Sequence, residues 1–304
     1  MSDRKYFVNG EIVPAGDARI SVRDRGFLYG DAAFETLRAY AGRPFHWETH
    51  LERLEYTCHV LGIDHGLTGS ELRNAVQETL AANELENAYI RLSITRGVQP
   101  GKLTPDRSAD PGVVILAHPL TPGGRGSDPV WEEPATVVVS SVRQIPPQSI
   151  PAELKTHNYL NGILARLEGR PAEAHEAIQL STDGYVTEGA TSNIFVIRDG
   201  ALVTPPATDP ILPGVTRDIV IRLARDAAIP VTTESLRPEA VQGAEECFLT
   251  NTTWEIRPVT NFDGADFPDG AITERLCRAY NEYVDAWIAG NRTLDIDRWR
   301  KGDD

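Results

Sequence analysis

The sequence predicts an α/β protein of two domains, an α+β N-terminal half and an α/β C-terminal half. Three observations lead there. Stretches with the two-residue alternation of strands keep giving way to stretches with apolar residues at helical spacing. A run rich in glycine, proline and polar residues, TPGGRGSDPVWEEP at 121–134, interrupts that pattern near the middle. The 304 residues, 41% of them hydrophobic, are enough for two cores. The expected boundaries are 1–120 for the first domain, 121–134 for the linker and 135–304 for the second.

Each element has its reason. KYFVNGEIV has an Asn-Gly turn between two apolar runs, the strongest short-range hairpin signal. AAFETLRAYAGRPFHW reads as two strands around AGR. ETHLERLEYTCHVLGI places Leu51, Leu54, Cys58 and Leu61 on one helical face. GSELRNAVQETLAANEL is a helix beginning at a serine cap, Ser70, and ending near Asn83. AYIRLSITRG and GVVILAHPL return to strand patterning. In the second half ATVVVSSVRQIP is a strand, NYLNGILARLEGRPAEA a helix, and EAIQLSTDGYVTEGATSNIFVIRDGALVTPP three or four short strands joined by Asp-Gly turns. GVTRDIVIRLARDAAI is a helix, AEECFLTNTTWEIRPVTNFDG strand, loop and strand, and ITERLCRAYNEYVDAWIAG a closing helix.

Composition excludes several classes. No apolar run approaches the roughly 20 residues that span a bilayer, and the opening MSDRKYFVNGEIVPAG lacks the apolar core of a signal peptide, so a cytoplasmic protein is expected. A formal charge of −14 would repel nucleic-acid phosphates. An acidic surface with few lysines also suits life at high salt, where screening removes carboxylate repulsion. Cys58, Cys247 and Cys277 lie far apart and form no CxxC pair. His46 and His50 are four apart but lack the acidic partner of a zinc helix, and His59 and His65 follow no ligand spacing, so no metal is expected. There is no GxSxG, GxxxxGK or GxGxxG in a suitable context.

One residue type stands out. Only Lys5, Lys102, Lys155 and Lys301 are lysines, against 26 arginines, and Lys155 precedes a helix in a stretch of small and apolar residues. Arginine can supply charge there, but not an amine nucleophile. A lysine that forms an imine needs a carbonyl partner. If that partner is pyridoxal phosphate, it also needs an acid at the pyridine nitrogen, a phosphate cradle and a partner for the phenolic oxygen. Glu188, in GYVTEGATSN, is either that acid or a solvated turn carboxylate. In ILPGVTRDIVI the amides of Val215 and Thr216 either face an anion at the helix start or are capped by Thr216 itself. Thr252 and Thr253 form a second anion-friendly turn. Arg53 could grip phosphate through two donors, or be a solvated helix arginine. Tyr159 could reach the phenolic oxygen, or be core.

Taken in order, RDRGFLYGDAAFETLRAY, HLERL, YIRLSITRG, LKTHNYLNGILA, VTEGATSNIF, LPGVTRDIVI and EIRPVTNFDG resemble the class IV (fold-type IV) pyridoxal-phosphate aminotransferases. The likeness covers nearly the whole chain. It implies two α/β domains with the cofactor between them, the C-terminal one built on a barrel-like sheet, and a homodimer or larger assembly. By the resemblance Lys155 would carry the cofactor and move the proton. Glu188 would pair with the pyridine nitrogen and Tyr159 with the phenolic oxygen. Arg53, the amides of Val215 and Thr216, and Thr252 would hold the phosphate. Tyr29 (across a dimer interface), Phe34, Arg38, Tyr89, Arg91, Arg96 and Thr253 would contact substrate.

Within the family the sequence is most similar to archaeal-type branched-chain aminotransferases, which implies leucine, isoleucine or valine with a 2-oxo acid such as 2-oxoglutarate. Two places depart: Thr36 stands where FEGIR has glycine, and NTTWEI, with Trp254, replaces GTAAEI. The double threonine also occurs in D-amino acid aminotransferases, whose histidine-bearing loop GVQPGKLTPD lacks. A 4-amino-4-deoxychorismate lyase is the third alternative, and a catalytically silent cofactor-binding protein the non-enzymatic one.

Overall fold

The computed structural model describes residues 4–99, 103–104, 110–120, 131–268 and 270–290. Its contacts divide into two compact units, Met1–Thr121 with Leu154–Asn158, and Pro122–Glu153 with Tyr159–Asp304. Of the expected linker at 121–134, residues 121–130 lie outside the described part.

Unit 1 is an antiparallel sheet with two long helices on one face. β1 (Lys5–Val8) and β2 (Glu11–Pro14) form the expected hairpin, with Asn9 and Gly10 at the positive φ of 49° and 95° that its two-residue turn requires. A five-residue helix follows, α1 (Arg25–Tyr29), whose first turn is capped by the Asp24 side chain accepting the Gly26 N–H. It is too short to show a helical period, and the sequence reading passed it over. β3 (Ala32–Tyr40), β4 (Arg43–Pro44), α2 (Trp47–Leu61), α3 (Gly69–Ala82), β5 (Ala88–Thr95) and β6 (Gly112–Pro119) complete the unit. The strand order is β2-β1-β6-β5-β3-β4.

The cap of α3 differs from expectation. Thr68, not Ser70, occupies the cap: its hydroxyl accepts the Glu71 N–H at 3.2 Å while the Glu71 carboxylate accepts the Thr68 N–H at 2.7 Å. This reciprocal pair needs threonine and glutamate three apart, a spacing that Ser70 does not have.

Strand alternation then sorts the side chains of the sheet. Ala33, Leu37 and Ala39 of β3 join Ile90, Leu92 and Ile94 of β5 in a core closed by Leu54 and Cys58 of α2 and Leu72 and Val76 of α3. Phe34, Thr36 and Arg38 face the other way, in register with Ser93, Arg91 and Tyr89.

Unit 2 contains β7 (Ala135–Val139), α4 (Leu160–Gly169), β8 (Glu176–Leu180), β9 (Val186–Gly189), β10 (Asn193–Arg198), β11 (Ala201–Thr204), α5 (Val215–Asp226), β12 (Val231–Thr233), α6 (Pro238–Gln242), β13 (Glu246–Asn251), β14 (Glu255–Phe262), β15 (Ala265–Asp266) and α7 (Ala271–Ile288). Its strands run β12-β11-β10-β13-β14-β7-β8-β9, with β15 on β14. The β11–β12, β14–β7 and β7–β8 pairs are parallel and the others antiparallel.

This order forces curvature. In a flat sheet β10 and β9 would stand five spacings of about 4.8 Å apart, roughly 24 Å. The chain joins Gly189 to Asn193 in four Cα steps, which reach about 14 Å at most. The sheet therefore curls back on itself, as the barrel-like expectation required, and the α/β class is the one the sequence predicted.

Replacing the cap tests the local reading of α3. Thr68→Ala is expected to lower unfolding free energy by about 1 kcal/mol, seen in urea titration as a lower midpoint with an unchanged slope.

Candidate active site

Unit 1 carries the lysine. β5 pairs with one edge of β3, and the segment Leu154–Asn158 runs along the other edge at its start. The Phe34 N–H donates to the Lys155 carbonyl at 3.0 Å and the His157 N–H to the Ala32 carbonyl at 3.1 Å, with an antiparallel bridge between Ala33 and Thr156. The N–H of Lys155 donates to Thr57 Oγ1 on α2 at 3.3 Å, and that hydroxyl donates to the Arg53 carbonyl at 2.9 Å. The main chain at the lysine is thus bonded to both a strand and a helix.

The Phe34 ring is the common contact around the amine. Lys155 Nζ lies 4.7 Å from its centroid and the Arg91 guanidinium carbon 3.7 Å, while the His157 ring meets it edge-on at 5.5 Å. Burial and the Arg91 charge push His157 down to about 4, against the pull of Asp24, so the imidazole is neutral at pH 7. The fixed positive charge beside this ring therefore comes from Arg91.

Glu35 points to the opposite face of β3, toward α2. Its carboxylate accepts Arg53 Nε at 2.6 Å, Arg53 Nη2 at 2.8 Å and His50 Nδ1 at 2.8 Å, all three side chains being buried. Burial raises the Glu35 carboxyl, but the Arg53 charge and hydrogen bonds outweigh it, and with His50 they hold the group at about 2. Burial dominates at His50, lowering its basicity, with the Arg53 and Lys155 charges adding to the effect against Glu35. A neutral imidazole facing an ionised carboxylate must carry its proton on Nδ1, which donates. The reading of Arg53 as a solvated helix arginine is overturned, for its guanidinium is buried and oriented by Glu35.

The expected substrate residues separate. Phe34 and Arg91 meet near Lys155. Arg38, buried, stacks its guanidinium on Tyr40 at 4.5 Å, and its cross-strand neighbour Tyr89 stacks on His118 at 6.2 Å. Arg96 does not fit the expectation. Its Nε and Nη2 bind Asp31 at 2.7 and 2.9 Å, and its Nη1 and Nη2 donate to the carbonyls of Gly62 and Leu61. Four of its bonds go to protein groups, so it acts as a structural clamp. Asp31 also accepts Arg25 Nε at 2.8 Å. Arg25 in turn lies 5.0 Å from the ring of Tyr29, which is 42% exposed.

Unit 2 carries the candidate acid. Glu188 is half-buried on β9, not solvated on a turn. Its Oε1 accepts Gln144 Nε2 at 2.9 Å, and its Oε2 accepts the Leu212 N–H at 2.9 Å and Asn193 Nδ2 at 3.2 Å. Asn193 Nδ2 also donates to the Leu212 carbonyl at 2.9 Å, tying the carboxylate to the loop that opens α5. The cap of α5 is Gly214, not Thr216, and it offers no side-chain bond. The amides of Val215 and Thr216 have no acceptor among the described residues. A Cβ at Gly214 would stand 2.1 Å from Asn193 Oδ1, so only glycine lets the loop pass. An uncapped helix start of this kind favours an anion.

Thr252 and Thr253 lie in the β13–β14 turn, where Asn251 Oδ1 accepts the Thr253 N–H and hydroxyl, both at 3.0 Å, and the Trp254 N–H at 2.6 Å. The Trp254 ring is held by the Arg257 guanidinium at 4.9 Å. Tyr159 starts α4 and lines a cavity of about 350 Å³ with Gly162, Arg166 and Ala190. Sequence reasoning missed Glu35, His50, Gln144 and Asn193. Glu35 did leave a signal, a lone charge in the apolar strand AAFETL. Gln144 left none, because its partner lies 44 positions away.

The family profile described as amino-transferase class IV matches residues 32–262. The "Putative branched-chain-amino-acid aminotransferase" of Methanocaldococcus jannaschii is 38% identical over 286 residues, 93% of this chain and 97% of that protein. The D-alanine aminotransferase of Staphylococcus haemolyticus is 32% identical over 93% of this chain and 98% of its own. Among solved structures, the branched-chain aminotransferase of Thermoproteus uzoniensis with norvaline has a TM-score of 0.86, 32% identity and 96% coverage of both chains. The T.th. branched-chain amino acid aminotransferase complexed with N-(5'-phosphopyridoxyl)-L-glutamate has a TM-score of 0.84, 29% identity and the same coverage.

The Glu35 clamp has a measurable consequence. Glu35→Gln leaves the Arg53 charge buried without its counter-charge and is expected to cost about 3–5 kcal/mol at pH 7. The folded carboxyl sits below its unfolded range, so its contribution is present above about pH 4.5 and is lost as pH falls toward about 2. Denaturant titrations of both proteins should show the stability gap closing across that window.

Proposed function

Because the chain belongs to the class IV aminotransferases, we propose that it moves an amino group between an L-branched-chain amino acid and a 2-oxo acid such as 2-oxoglutarate, with pyridoxal 5′-phosphate as cofactor. The observation that carries this reading is likeness to branched-chain aminotransferases over almost the whole chain, together with Lys155 bonded into unit 1 beside Phe34 and Arg91. Two features of unit 2 fit the cofactor: the uncapped start of α5 behind a glycine with no room for a side chain, and a carboxylate held by neutral N–H donors.

When bound, pyridoxal phosphate supplies an electron sink and a carrier for the amino group. The protein supplies the rest. Lys155 Nζ would be the amine that holds the cofactor and, once released, the base that moves the substrate's proton. Glu188, whose carboxylate accepts N–H bonds from Gln144, Asn193 and Leu212, would meet the ring nitrogen. Tyr159 serves the phenolic oxygen. The amides of Val215 and Thr216, with Thr252, would hold the phosphate, and Arg53 is the guanidinium of unit 1 that would serve it. Arg91 and Arg38 attract the carboxylates of the two substrates, with Phe34, Tyr89 and Thr253 shaping the space for their side chains. Thr36, the one residue of β3 that is not fully buried, narrows that space.

A homodimer is part of the proposal. It is supported by the exposed apolar face of α4, Leu160, Ile163, Leu164 and Leu167, each 46–68% accessible, and by exposed Tyr29, a candidate for a neighbour's site.

One observation favours a second reading. D-alanine aminotransferases match at 32% identity, and the Thr252–Thr253 turn resembles theirs. Adding L-leucine and D-alanine to separate samples of holoenzyme separates the two. L-leucine is expected to bleach the visible band of the bound cofactor, and bleaching by D-alanine alone would establish the second reading instead. Lys155→Ala is expected to lose that band and about 10³-fold or more in turnover. Thr36→Gly should shift the kcat/KM ratio of isoleucine over alanine about tenfold or more, measured by competition, since it removes the whole CH(OH)CH₃ group from the proposed pocket wall.

A further inference from the structure

The carboxylate of Glu188 is held from three sides, and one holder belongs to neither the strand nor the cofactor loop. Gln144 follows β7 and reaches Glu188 Oε1 with Nε2 at 2.9 Å. The orientation of its amide is settled by the other end. Its Oε1 accepts the Ile145 N–H at 3.0 Å and Asn161 Nδ2 at 2.9 Å. The Ile145 N–H can only donate, so the atom it meets must be oxygen and the atom facing Glu188 must be the N–H₂ group. The Gln144 main chain is fixed too, its N–H donating to the Leu180 carbonyl at 2.9 Å. A relay therefore runs from Asn161 on α4 through Gln144 to the carboxylate.

We propose that Gln144 is a positioning residue of the reaction, which holds the Glu188 carboxylate in the rotamer from which it meets the ring nitrogen of the cofactor. The proposal rests on the reading of Glu188 given above. The Leu212 N–H and Asn193 both bond Oε2, whereas Gln144 bonds Oε1. Gln144 fixes the second oxygen and so sets the plane. Its amide carries no charge, so it adds a donor without placing a second positive charge beside the one the carboxylate must answer. Asn161 keeps the amide from flipping, since a flipped Gln144 would turn oxygen toward a carboxylate that can only accept.

The test uses holoenzyme of wild type, Gln144→Met and Glu188→Gln, each loaded with pyridoxal phosphate or with its analogue carrying C–H in place of the ring nitrogen. With the natural cofactor, Gln144→Met is expected to lower kcat about tenfold to a hundredfold, the worth of one hydrogen bond to a charged group, with KM little changed. The pH midpoint of the visible band should move toward that of Glu188→Gln, a shift that a merely structural role would not produce. With the analogue the penalty of Gln144→Met should vanish, because there is no ring nitrogen for Glu188 to meet. Equal penalties on both cofactors, in a wild type that slows on the analogue, overturn the proposal alone. A wild type indifferent to the analogue overturns the reading of Glu188, and the proposal with it. Asn161→Ala leaves Gln144 in place but frees its amide. It should show the same pattern at a smaller size, and it decides the question if Gln144→Met does not fold.

Discussion

Unit 1 is organised around a carboxylate that has no access to water. Glu35 is 1% exposed, and an ionised group so placed is tolerable only when its charge is met and its lone pairs are used. Arg53 and His50 meet it from α2, three residues apart on one helical face. That contact sets how α2 lies on β3. One turn further along, Thr57 presents its hydroxyl to the N–H of Lys155, while Phe34, next to Glu35, donates to the Lys155 carbonyl. The placement of the Lys155 main chain thus descends, through two short connections, from the neutralisation of one buried charge.

Unit 2 solves a related problem with neutral groups. Among the hydrogen bonds of Glu188 are three from neutral groups, the Leu212 N–H and the side-chain amides of Gln144 and Asn193. The difference has a chemical logic. A carboxylate already paired with arginine, as Glu35 is, has its charge spent and serves as a structural anchor. Neutral N–H donors orient a carboxylate without cancelling its charge. Both glutamates lie on strands, and these partners differ in charge.

The charge of the whole chain and the charge of the site have opposite signs. A net −14 keeps the molecule soluble and repels polyanions. Arg38 and Arg91 nevertheless stand on one face of the unit 1 sheet, which alternation and register also give to Phe34, and Lys155 lies beside the Phe34 ring. Local cations there give a field that the overall charge does not reveal. Arg96 shows the limit of that logic, since an arginine on the same strand's end is consumed by Asp31 and two carbonyls.

The sequence by itself determined the class of fold, most of the elements and the chemistry. Hairpin turns, helical periods and the lone lysine are written in neighbouring residues, and local sterics and imine chemistry act on neighbouring residues. The ordered motifs sufficed to indicate the aminotransferase family. Partners distant in sequence were decided only by tertiary structure. Nothing in HLERL says that Arg53 faces Glu35 rather than water, nothing in LSITRG says that Arg96 is a clamp, and nothing in VRQIP points to Glu188. The cap of α3 fell between these cases, since Thr68 and Glu71 are local, but choosing Thr68 over Ser70 depends on which residue leaves the helical backbone. The physical reason is common to all of them. A polar side chain satisfies its hydrogen bonds wherever folding brings a complement, and the identity of that complement is set by the path of the chain through the two units, not by the residues on either side.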